Sequence, residues 1–167
     1  MAEPSIMDLK KATIKFVDGA GTPAELTLKI DEGNLQFTSK FNMEYKRDRG
    51  KLATGTVREG DEEPMDVSLE CRFSAVKSST GESITVMEFL KQTGAGSSLT
   101  TTGAACEPFA VDIVVTIDQN CGTVPDEIIT FPAFRVESIG GSFKDGTLSL
   151  SGKCKAVMPT SVRTTLA

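Results

Sequence analysis

Hydrophobic and polar positions alternate over most of this chain, and the alternation predicts strands. Ala12, Ile14 and Phe16 share one parity, with Lys11, Thr13 and Lys15 on the other. Leu26, Leu28 and Ile30 repeat the pattern after the turn Asp18–Pro23, so the first two strands read as a hairpin. Leu35 and Phe37, extended to Phe41, make a third strand. The longest signal is Met65, Val67, Leu69, Cys71, Phe73 and Ala75, alternating with Asp66, Ser68, Glu70, Arg72 and Ser74. Val111, Ile113, Val115 and Ile117 give another strand.

A closing hairpin from Ile128 to Met158 organises the rest. Its second arm places Leu148, Leu150, Gly152, Cys154, Ala156 and Met158 on one face. In its first arm, Ile129 and Phe131 have one parity and Phe134 and Val136 the other, which predicts a bulge at Pro132. Gly140-Gly141 and Asp145-Gly146 are expected to supply the positive-φ positions of the connection. The period changes only between Ser83 and Thr93, where Ile84, Met87 and Leu90 fall at helical spacing before Gly94. The expected fold is mainly β: an antiparallel β-sandwich or barrel of about seven strands with one flanking α-helix and a long charged loop. It forms a single domain over residues 1–167.

Three stretches lack periodicity. Residues 1–10 read as an N-terminal arm and residues 159–167 as a C-terminal arm. Thr93 to Ala105, rich in Gly, Ser, Thr and Ala, reads as a flexible connection. The third, residues 42–64, is the long loop. It is basic first (Lys46, Arg47, Arg49, Lys51, with Asp48 among them) and acidic last (Glu59, Asp61, Glu62, Glu63). Long aperiodic loops inside compact domains are uncommon and usually functional or disordered. A segment with two opposite poles can pair with copies of itself; a solvated insertion is the plainer alternative.

Composition narrows the chemistry. The chain has no histidine, which removes the commonest general base and metal ligand. It has no tryptophan and a single tyrosine, which disfavours an aromatic platform for sugars or bases. A net charge of -5 argues against a dedicated duplex-DNA or membrane-surface binder. Gly94-Ala95-Gly96-Ser97-Ser98 lacks the Lys of a phosphate loop, and Asp61-Glu62-Glu63 lacks the spacing of a calcium loop. No Cys-x-x-Cys occurs, so no zinc site is expected. Cys71 and Cys154 lie on apolar parities and are expected to be buried thiols. Cys106 and Cys121 bracket a strand too long to let them bond each other across it, but either could crosslink elsewhere, including between subunits. No basic segment followed by an apolar run opens the chain, so use without export is expected. The expectation is a protein that is not an enzyme and needs no cofactor or metal.

The stretches Gly50-Lys51-Leu52 through Met65-Asp66-Val67-Ser68, Phe131-Pro132-Ala133-Phe134-Arg135-Val136-Glu137 with Gly141–Leu148, and Ser151-Gly152-Lys153-Cys154 carry a resemblance. Together they resemble the tail tube protein of tailed bacteriophages, a fold shared with the tube protein of type VI secretion. The resemblance implies homo-hexameric rings stacked into a hollow conduit for DNA ejection, with a tape-measure protein in the bore. Tail terminator and baseplate proteins would be further partners, with or without a sheath, and DNA would pass without sequence-specific binding. It implies a location in the virion tail, assembled in the host cytoplasm, with no membrane partner. The long loop would contact the adjacent ring through Tyr45, Lys46, Arg47, Asp48, Arg49, Lys51, Arg58, Glu59, Asp61, Glu62 and Glu63. Three other readings compete: a monomeric β-sandwich binding or adhesion module, the tube protein of a phage-derived injection system, and, least favoured, an enzyme using carboxylates alone.

Overall fold

Alternation of side chains across strands becomes alternation of burial. Met65, Val67, Leu69 and Cys71 are buried while Ser68 and Arg72 face solvent; Val111, Ile113, Val115 and Ile117 are buried in the same way. A computed structural model describes residues 12–28, 30, 34–73, 75–77, 83–118 and 126–163. Its elements are β1 (Ala12–Val17), β2 (Glu25–Thr27), β3 (Leu35–Thr38), β4 (Met43–Asp48), β5 (Lys51–Glu59), β6 (Met65–Arg72), β7 (Ala75–Lys77) and β8 (Ser83–Thr85). Then follow α1 (Val86–Lys91), β9 (Val111–Ile117), β10 (Glu127–Ser142), β11 (Thr147–Cys154) and β12 (Thr160–Arg163).

The main sheet runs β2-β1-β9-β10-β11-β6-β3, with β12 added against β10. Its pairs are antiparallel. The sheet curls without closing into a barrel. Phe37 on β3 lies three strands from β10, roughly 14 Å away in a flat sheet, yet its ring centroid is 5.3 Å from that of Phe131. Between the curled halves Phe16 stacks on Phe134 (6.4 Å) and on Phe89 of α1 (6.1 Å), so the helix closes the core. Burial pushes the Cys71 thiol up to about 11 and the Cys154 thiol up to about 12, which keeps both protonated.

The closing hairpin is the hub. β10 pairs first with β9 and β12, then hands over to β11. The handover is the expected bulge: the register with β9 shifts between Phe131 and Phe134, and Ala133 adopts a φ of 50°. The carboxylate of Asp112 accepts from the Ala133 N–H at 2.8 Å, satisfying the amide the bulge takes out of the ladder.

Several expectations change. Gly140 and Gly141 are extended ladder residues opposite Ser149 and Leu148; Gly146 alone supplies the left-handed turn position of that connection. The helix is shorter than its periodicity suggests. Thr85 caps α1 in a capping box with Glu88, and Gln92, not Gly94, takes the left-handed C-terminal position. The supposed flexible connection from Thr93 to Ala105 is pinned. Asp18, buried, accepts from Ala24 N–H (2.7 Å) and Thr100 N–H (3.0 Å), and Gly19 donates to the Thr100 carbonyl. The C-terminal arm is partly a strand, because β12 pairs along residues 127–130 of β10 and Ser161 donates to the buried Glu127. Met158 is exposed rather than on the core face.

Candidate assembly interface

The predicted long loop is a free-standing ribbon. β4 and β5 pair antiparallel as a separate two-stranded sheet, joined at Arg49-Gly50, both at positive φ. The ribbon makes no extended contact with another described element. All of its strand residues are exposed except Gly55. An isolated two-stranded hairpin is marginally stable in water. Of its cross-strand pairs, Tyr45 with Val57 (aromatic on β-branched) and Glu44 with Arg58 (opposite charges) contribute roughly 0.2–1 kcal/mol each; Met43 with Glu59 and Lys46 with Thr56 are not pairings of that kind.

Its register is irregular toward the tip. Lys46 opposes Thr56 and Asp48 opposes Lys51, so the four residues Leu52 to Gly55 face the single Arg47. Gly55 permits this: a Cβ there would sit 2.0 Å from the Lys46 carbonyl oxygen.

At its base the ribbon is tied to the sheet. Gly60 N–H donates to the Asn42 carbonyl (2.7 Å), and Asn42 Nδ2 donates to the Asp61 carbonyl (2.8 Å) and to Glu63 Oε1 (3.1 Å). Lys40 reaches Glu63 at 3.6 Å and Asp66 at 3.9 Å, and Lys153 of β11 reaches Asp66 at 3.9 Å. The Asn42 hydrogen bond first, and then the Lys40 charge, hold Glu63 below the usual carboxylate range.

This geometry sorts the residues read from the sequence. Tyr45, Lys46, Arg47 and Asp48 lie on β4, Arg49 at the turn, and Lys51, Arg58 and Glu59 on β5. Asp61, Glu62 and Glu63 form the connector to β6. The basic pole is the tip and the acidic pole the base, roughly 20 Å away at strand spacing and beyond a Debye length. Glu63 stands apart from the rest, because its carboxylate is occupied within the clamp. Cys106 is exposed and free; Cys121 lies outside the described residues.

Charge is half of the ribbon's surface. Residues directly opposed in a ladder share a face, so Met43, Tyr45 and Val57 lie together on one face, and Glu44, Lys46 and Arg58 on the other. Met43, Tyr45, Val57 and also Leu52 are exposed. The sequence reading missed this apolar face. Its signal was the short alternation Phe41-Asn42-Met43-Glu44-Tyr45-Lys46, lost among the surrounding charges.

A second apolar surface, uncovered among the described residues, lies at the far end of β6. Phe73 and Phe143 meet edge to face, centroids 5.6 Å apart, and with Met87, Ile139 and Leu148 they line an open cleft of ≈ 150 Å³.

No family model and no curated protein matches the chain. Solved structures do. The sheath/tube terminator of an extracellular contractile injection system, PVC, in its extended state matches with a TM-score of 0.55 at 10% identity, covering 96% of this chain and 99% of the other. The tube-terminating cap of the anti-feeding prophage matches at 0.56 with 8% identity, over 98% and 95%. A chain of the six-fold symmetrised anti-feeding prophage baseplate matches at 0.51 with 10% identity, over 97% and 97%. At these identities the likeness is one of fold: over nearly its whole length the chain shares its architecture with a sheath/tube terminator, a tube-terminating cap and a baseplate chain.

Proposed function

We propose that the chain is a structural subunit of a phage tail tube or of the tube in a phage-derived injection particle, closing as hexameric rings that stack into a conduit. The observation that carries this reading is the free-standing β4–β5 ribbon on a fold shared with tube-end components. A marginal hairpin with an exposed apolar face gains its stability by docking. A head-to-tail contact between copies satisfies ribbon and acceptor at every step, and such contacts propagate when they do not close.

In this reading the chain performs no chemistry. Its partners are copies of itself, a tape-measure protein, and terminator, baseplate and sheath proteins. Its net charge of -5 lets DNA pass without adhering. Its place is the tail, built inside the bacterial host.

A second reading, favoured by the terminator and cap likenesses, makes the chain a single ring that ends the tube. Size-exclusion chromatography with negative-stain microscopy of concentrated protein separates them. A tube subunit gives polymers, a terminator gives single rings, and a binding module stays monomeric.

A further inference from the structure

The ribbon and the Phe73–Phe143 cleft lie at opposite ends of the molecule. The ribbon leaves beside Thr38, which opposes Asp66 near the start of β6. The cleft begins where β6 ends, with Arg72 opposite Thr147 and Phe73 N–H donating to the Gly146 carbonyl. Eight residues of strand hold the two apart by roughly 25 Å.

Resting on the stacking function proposed above, we infer that the cleft is the acceptor for the ribbon of a second copy, and that Tyr45 is the side chain it takes. Three observations carry this. First, the size fits one ring: an apolar cavity of about 150 Å³ lined by Leu, Ile and Phe side chains binds benzene, and this cleft measures ≈ 150 Å³. Second, the ribbon offers one aromatic ring, that of Tyr45, 60% exposed and flanked on its face by Met43 and Val57. Third, the ribbon is a large part of an interface. It spans seventeen residues from Met43 to Glu59, against about 20–30 residues on one side of a stable interface, so the body beside it supplies the remainder. Phe143, at 90% exposure, and Tyr45 are each left bare by the free subunit, and one axial step between identical copies covers both.

The chain supplies its own probe. It has one tyrosine and no tryptophan, so its intrinsic emission reports on Tyr45 alone. On concentration, wild-type protein should polymerise, and tyrosine emission should become protected from iodide. Phe143→Asp and Tyr45→Asp should each raise the concentration needed for polymer roughly tenfold or more, as expected for losing an aromatic anchor. Tyr45→Phe should polymerise normally. Mixing the two aspartate variants should give stacks of two rings and no longer ones, since each retains the half the other lacks. Tubes whose Tyr45 remains as quenchable as in the monomer, or a Phe143→Asp protein that polymerises like wild type, would overturn the assignment and leave the tube reading standing. A wild-type protein that never associates would overturn both.

Discussion

Two pieces of β structure in this molecule obey different rules. In the body, β6, β9 and β11 bury every second side chain, and each is held on both edges by a neighbouring strand. In the ribbon, β4 and β5 pair only with each other among the described residues, and both faces are exposed. Burial of apolar area stabilises the first at roughly 25 cal/mol per Å². The second lacks that contribution until something covers it. The body is therefore a completed fold, and in the stacking proposed above the ribbon is half of a contact.

The contrast is broken most severely through the core. Phe134 is stacked on Phe16 and fully enclosed, so Phe134→Ala should cost about 3–5 kcal/mol in urea unfolding. Replacing residues 44–58 by an Asn-Gly turn should leave the urea midpoint unchanged and abolish polymer. A large loss of stability there would show that the ribbon belongs to the body.

Two glycines sharpen the comparison at equal chemistry. A Cβ on Gly152 would lie 2.0 Å from the Arg135 carbonyl oxygen, and one on Gly55 would lie 2.0 Å from that of Lys46. Gly152→Ala should destabilise the whole domain by roughly 1–3 kcal/mol. Gly55→Ala should leave global unfolding alone while hydrogen exchange along β4 and β5 accelerates.

The smallest effect is electrostatic. Glu63 has a folded pKa below its unfolded one, so its contribution to the clamp is complete above the unfolded value. It fades as pH falls through the lowered one, in the acid range below about 4.3. Protection of the amides at the ribbon's base, relative to their intrinsic exchange at each pH, should fall there in wild type, and Glu63→Gln should remove that dependence. Reversing Asp61 and Glu62 to lysine tests the acidic pole without disturbing the clamp.

How much of this was legible follows the same division. β6, β9 and β11 announce themselves because burial imposes a two-residue period, and the bulge at Pro132 shows as a parity break between Phe131 and Phe134. The ribbon was hard to read as strands because no face of it is buried, and the short apolar parity of Phe41, Met43 and Tyr45 is surrounded by charges. The connection after α1 looked flexible because its order comes from Asp18, over eighty positions upstream, through a hydrogen bond to Thr100. β12 was missed for a related reason: its four residues are all exposed, and its anchor is Glu127. The cleft was hidden because Phe73, Met87 and Phe143 come from three separate elements and meet only in space.

One consequence concerns force. The connector at residues 60–64 runs directly into β6, and β6 is zipped to β11 by eight consecutive residue pairs from Met65–Cys154 to Arg72–Thr147. A pull on the ribbon at one end, resisted at the Phe143 turn at the other, travels parallel to these strands. All rungs then carry the load together, and none can be peeled off first. A column built of such units would resist being stretched far better than its individual subunits resist being unzipped.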